Sequence, residues 1–172
     1  MNAIELSHVT KHFPGFTLQD LSLTVPSGTI CGLVGENGAG KSTTIRLLMG
    51  ALRPDSGRCT VLGADSASPE FLSLKEDIGV VLDEAYFPES LNALQVGGVM
   101  AKTYRRWDGK QYQNYLTRFG LPEKKPFKDF SRGMKMKLAI AVALSHSPRL
   151  LVLDEATANI DSNTEELIQN SI

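Results

Sequence analysis

Residues 35–42 read Gly-Glu-Asn-Gly-Ala-Gly-Lys-Ser, and few folds accommodate an octapeptide of this form. It fits the pattern G-x-x-x-x-G-K-[ST]. The preceding residues 29–34 have the length and apolar character of a buried strand, with Cys31 packed mid-strand as a small apolar residue. The following residues 43–49 place Ile45, Leu48 and Met49 on one helical face. The motif therefore predicts a strand, a glycine-rich turn and a helix in immediate succession.

Each residue type in the turn has a physical reason. Gly35, Gly38 and Gly40 adopt backbone angles closed to residues with a Cβ and let main-chain amides approach an anion closely. Glu36, Asn37 and Ala39 complete a nest of N–H groups, and the helix beginning near Lys41, Ser42 and Thr43 adds its partial positive end. Residues 35–43 are thus the candidate seat for the phosphates of a nucleoside triphosphate. Lys41 would reach the β- and γ-phosphates, and the Ser42 hydroxyl would ligate Mg²⁺.

Composition sets the scale. A chain of 172 residues with 42% hydrophobic and 22% charged residues suits one ordinary globular domain. A net charge of −1 gives no global field for nucleic acid or an anionic membrane, so no nucleic-acid partner is expected. Two cysteines make no disulfide framework. No apolar run reaches transmembrane length and residues 1–5 lack a leader pattern, so the expectation is a cytoplasmic protein that meets a membrane through a partner.

Along the chain, apolar positions from Ile4 to Val25 alternate roughly and break at Pro14 and Gly15, predicting two or three short antiparallel strands. A turn at 54–57 precedes a short strand near Cys59, and residues 78–82 form a second buried-strand candidate. Residues 91–144 are helical in pattern: a helix through Leu94 and Tyr104 weakened by Gly97 and Gly98, another starting at Asp108, and a third from Arg132 to His146. Residues 150–153 form an apolar strand ending at Asp154 and Glu155. Carboxylates at that end stand where open α/β sheets bind ligands, so Asp154 would hold Mg²⁺ and Glu155 would polarise an attacking water.

Phe130, Ser131, Arg132, Gly133, Met134 and Lys135 complete an ordered set of motifs. This set resembles the ATP-binding cassette (ABC) ATPases, with a phosphate loop, a helical insertion, a signature loop and an acidic strand. The resemblance implies an α/β fold: a P-loop NTPase core with an N-terminal antiparallel β subdomain and an inserted α-helical subdomain. It implies one cassette domain over 1–172, with core and β subdomain at 1–83 and 147–172 and the helical part at about 84–146. In that family two cassettes, identical or different, stack head to tail around ATP and serve a separate membrane-spanning permease. Ser131, Arg132, Gly133 and Met134 would then contact ATP held opposite, Asp161 would be the aspartate communicating across the dimer, and Phe13 would stack on adenine. The signature resembles bacterial exporters.

Two departures from the family stand out. Asp83 occupies the place of a metal-proximal glutamine and could ligate Mg²⁺ with a full charge. The family also continues to a switch histidine, a position that none of His8, His12 and His146 can fill, and Ile172 lies within what resembles the preceding helix. The sequence thus reads as C-terminally shortened, with nucleotide binding surviving better than hydrolysis. The alternatives are a cassette that holds ATP without cleaving it and a soluble ABC ATPase acting on nucleic acid or ribosomes. The basic residues Lys124, Lys125, Lys128, Arg132, Lys135 and Lys137 are the residue-level support for the last.

Overall fold

Pro14 and Gly15 close a hairpin that organises the N-terminal part of the chain. The computed structural model describes residues 1–82 and 87–154. These belong to two compact units, Met1–Lys75 and Glu76–Ile172.

In the first unit β1 (Asn2–Phe13) pairs with β2 (Phe16–Pro26), and β3 (Ser56–Val61) and β4 (Ala64–Asp65) complete an antiparallel sheet in the order β2-β1-β3-β4. Two long strands replace the two or three short ones that the broken alternation suggested. The reason is a pair of bulges. Leu6 and Val9 are an odd number of residues apart yet both are buried, which a regular strand forbids. The register slips between them, and His8 at φ 51° faces Asp20 at φ 52° across the hairpin. The displaced amides are satisfied by hydroxyls: His8 N–H donates to Ser22 Oγ at 3.0 Å and Asp20 N–H to Thr10 Oγ1 at 3.0 Å. A bulge thus returns the next apolar residue to the core face.

Helix α1 (Lys41–Leu48) buries Thr44, Ile45, Leu47 and Leu48. It packs against β3, where Cys59 Sγ lies 3.7 Å from the Leu47 carbonyl. A single turn, α2 (Phe71–Leu74), seats Phe71 in the same core. Residues 29–34 do not form the buried strand their composition predicts. They carry no ladder bonds among the described residues, and Ile30 and Val34 are 78% and 94% exposed. Cys31 is likewise exposed rather than packed. Apolar character permits a buried strand, but a strand exists only where a neighbour supplies the other half of its hydrogen bonds.

The second unit is built on β5 (Ile78–Val81) and β6 (Leu150–Leu153), which run parallel with Ile78 opposite Leu150 and Val81 opposite Leu153. Helices α3 (Ala93–Thr103), α4 (Gly109–Arg118) and α5 (Arg132–Leu144) surround one core cluster. Asn92 and Gln95 form a reciprocal capping box at α3, and the Asp108 carboxylate accepts from Gln111 N–H at 2.9 Å to start α4. Helix α5 is the spine, buried from Met136 onward except at Lys137. Its last turn approaches β5 so closely that a Cβ on Gly79 would stand 2.8 Å from the Ala143 carbonyl oxygen.

Candidate functional site: the phosphate loop and its surroundings

The loop at 35–40 curls on itself, with Ala39 N–H donating to the Glu36 carbonyl at 3.1 Å and Gly38 at φ 87°. Gly40, at φ 96°, is the residue from which α1 departs. Its carbonyl accepts from Thr44 N–H at 2.8 Å and Thr44 Oγ1 at 2.9 Å, locking the first helical turn. The Lys41 ammonium folds back over the loop and donates to the carbonyls of Gly35 at 2.8 Å and Glu36 at 3.0 Å. A cation, a turn of exposed amides and a helix N-terminus are therefore assembled at one point, which is the arrangement an oxyanion needs. Glu36, Asn37, Ala39 and Ser42 are exposed beside it, and Thr43 is half-buried.

Gly40 is a glycine for two reasons. Its φ lies in the left-handed region, and a Cβ there would stand 2.9 Å from Leu18 Cδ1 and 3.1 Å from Phe16 Cζ. The loop thus rests on the first residues of β2. Phe13, across the hairpin turn, stacks with Phe16 at a centroid distance of 6.3 Å and 27° between planes. The fold therefore brings Phe13 beside the phosphate loop through one intervening ring. In the sequence Leu18 reads only as an apolar strand position, and Phe16 is not singled out. The signal for Phe16 lies in its place across the Pro-Gly turn from Phe13, since two aromatics flanking a tight turn face each other.

On the second unit, Ser131 caps α5, and its Oγ accepts from Met134 N–H at 3.3 Å. Gly133, in the first turn, has open space where a Cβ would be. Arg132 is exposed and Met134 half-buried against the core cluster. The Lys135 ammonium lies 4.9 Å from the centre of the Phe127 ring, so one member of the basic cluster is engaged in a cation–π contact. Asp154 follows β6, and its N–H donates to the Val81 carbonyl at 2.9 Å, extending the parallel ladder by one rung. The carboxylate accordingly stands at the carboxyl end of the strand pair. Asp83, Glu155 and Asp161 lie outside the described residues. No group of three or more His, Cys, Asp or Glu side chains among the described residues forms a protein-only metal cage. The Ser42 hydroxyl in the first unit and the Asp154 carboxylate in the second are each hard oxygen donors, the donor type that suits Mg²⁺.

An antiparallel sheet, a phosphate-loop helix and a parallel strand pair ending in a carboxylate define an α/β domain of the phosphate-loop class. Residues 18–158 match the ABC transporter family, and the chain belongs to that family. It is 38% identical over 175 residues to the Nod factor export ATP-binding protein I of Rhizobium sp. (strain N33), covering 96% of this chain and 56% of that protein. It is 35% identical over 173 residues to the daunorubicin/doxorubicin resistance ATP-binding protein DrrA of Streptomyces peucetius, covering 96% of this chain and 52% of that protein. The chain thus spans about half the length of the curated relatives it matches. Among solved structures, an ATP-binding subunit of an ABC transporter superposes with a TM-score of 0.84 at 24% identity, over 98% of this chain and 73% of that one. The fold is that of an ABC ATPase domain, with its antiparallel sheet at the N-terminus and its helices beyond. No helix among the described residues is long and apolar enough to cross a membrane.

Proposed function

We propose that this chain binds and hydrolyses ATP as the motor domain of an ABC exporter. The observation that carries the reading is the Lys41 ammonium held over the curled loop at the N-terminus of α1. In this reading the amides of residues 35–43 and Lys41 hold the triphosphate, and Ser42, Asp154 and Asp83 supply oxygens to Mg²⁺, which neutralises charge on the phosphates. Glu155 polarises the water that attacks the γ-phosphorus in line, and the bond from that phosphorus to the bridging oxygen breaks. Phe13 stacks on adenine.

The signature residues Ser131, Arg132, Gly133 and Met134 meet the γ-phosphate of ATP bound by a second cassette, and Asp161 communicates across that dimer. ATP drives the two cassettes together, and a separate membrane-spanning permease takes up the motion at the cytoplasmic face of the membrane. Export is favoured because two relatives are named for export and for drug resistance.

The test is an equilibrium titration with ATP and Mg²⁺ alongside phosphate release, for the protein and for Glu155→Gln. Binding with phosphate release that the substitution abolishes supports the reading. Binding without release leaves a cassette that holds ATP but does not turn over. Absence of binding overturns the assignment of the loop.

A further inference from the structure

Asp55, in the turn that leads into β3, stands out because four of its bonds go to one short stretch of β1. Its N–H donates to the Thr10 carbonyl at 2.9 Å. Its Oδ1 accepts from the Lys11 ammonium at 2.7 Å, and its Oδ2 from the His12 N–H at 2.7 Å. The His12 ring nitrogen Nδ1 lies 3.1 Å from the same oxygen, and a carboxylate only accepts, so Nδ1 carries the proton. The next residue is Phe13, the last of β1.

The position of these bonds explains their use. The β1–β3 ladder ends at Thr10 opposite Ser56, so beyond it β1 has a neighbour on its β2 side only. A two-stranded hairpin end is weak on its own. The Asp55 carboxylate takes the place of the missing strand at the His12 N–H, and its ion pair with the Lys11 side chain adds a second arm. Gly57 makes the approach possible: at φ 82° a Cβ there would lie 2.2 Å from the His8 carbonyl oxygen. Phe13 itself has a ring contact only with Phe16 among the described residues and is 36% exposed. An aromatic held so lightly serves as a stacking platform only if its backbone is fixed.

We propose that Asp55 is a positioning residue that staples the end of β1 so that the Phe13 ring is pre-set to stack on the nucleobase of the bound nucleotide. This rests on the reading of Phe13 as the adenine platform. Asp55 acts on the base and not on the phosphates, which gives a readout that a general structural role would not produce. The probes are Mg·ATP and Mg·tripolyphosphate, titrated separately into the protein and into Asp55→Ala, Asp55→Asn, Lys11→Met and Phe13→Ala, with melting temperature followed in parallel.

Asp55→Ala is expected to weaken ATP by about tenfold, the order of one lost base–aromatic stack, and to leave tripolyphosphate within about twofold. Asp55→Asn should recover part of the loss, since its amide oxygen still accepts from His12 N–H. The double variant with Phe13→Ala should be no worse than Phe13→Ala alone, because both act through one ring. Equal weakening of both ligands, or of neither, overturns the proposal. If Phe13→Ala weakens ATP selectively and Asp55→Ala does not, the staple is wrong and the platform stands. If Phe13→Ala has no selective effect, the platform itself falls. Should Asp55→Ala fail to fold, Lys11→Met removes one arm of the staple and decides by the same selectivity.

Discussion

The Lys41 ammonium donates to the carbonyls of Gly35 and Glu36, so a triphosphate that engages it must exchange those acceptors for its own oxygens. That exchange is favourable because the incoming acceptors are anionic and charge-assisted bonds are stronger than neutral ones. Lys41→Ala should therefore weaken Mg·ATP and Mg·tripolyphosphate together, by roughly ten- to a hundredfold on the usual worth of a hydrogen bond to a charged group. Titration of both ligands checks this. Selective loss of ATP alone would show that Lys41 addresses the nucleoside and would sink its phosphate role. Arg46, exposed on the same helix, is the control, and its replacement by Gln should leave both affinities unchanged.

At the scale of elements, the two adjacent glycines of α3 have opposite meanings. A Cβ on Gly97 would stand 2.5 Å from Cε1 and 2.9 Å from Cδ1 of Tyr112, whereas one on Gly98 would meet nothing within 4 Å. The Tyr112 ring is buried and pinned, with its hydroxyl donating to the Ala93 carbonyl at 2.8 Å, so it cannot swing aside. Gly97→Ala gains helix propensity worth about 1 kcal/mol but overpacks the α3–α4 contact at about 1–3 kcal/mol, and the clash wins. Gly98→Ala keeps the gain alone. Chemical denaturation should place the first below and the second above the parent protein in midpoint. A pair that moves together would refute the packing argument.

Sequence composition alone reads both glycines as helix weakeners, because propensity is local and Tyr112 is remote in the chain. The same limit applies to residues 29–34, whose apolar run says what could be buried but not which strand would pair with it. It applies to His8 and Asp20 too, whose bulges make two long strands look like several short ones. What was legible depended on short-range chemistry. The glycine loop, the Asp108 cap, the Ser131 helix start and the apolar strand before Asp154 each use residues within a few positions of one another. Asp55 was legible only as a turn residue, since its partners Lys11 and His12 lie 44 and 43 positions away.

At the scale of the whole molecule, His146 in one unit and Asp55 in the other tie stability to acidity, and the two act in separate pH windows. His146 is buried, stacked on Tyr104 at 4.1 Å between ring centres, with Nδ1 lying 3.1 Å from the Glu76 carbonyl. Nδ1 must carry the proton there, and Nε2 is buried with no hydrogen-bond partner among the described residues. Burial above all pushes the pKa below the ordinary 6.5, helped by the Arg106 charge and opposed by the bond to the Glu76 carbonyl. The unfolded chain then binds the proton more readily, so the contribution is fully present above pH 6.5 and is lost as the pH falls below it.

Asp55 lies on the acid side. The bonds from the Lys11 side chain and the His12 amide hold its carboxyl down to about 2, from an ordinary 3.8. Its contribution is present above about pH 4 and disappears as the pH falls through about 2, and salt should screen it because the carboxylate is partly exposed. Melting temperature against pH should therefore decline in two stages. His146→Phe keeps an aromatic face for Tyr104 and should flatten only the stage just below pH 6.5. Asp55→Asn should flatten only the stage below pH 4, where its difference from the parent isolates it from the other carboxylates. If either variant alters the other's window, or leaves its own slope intact, that residue is not the group responsible.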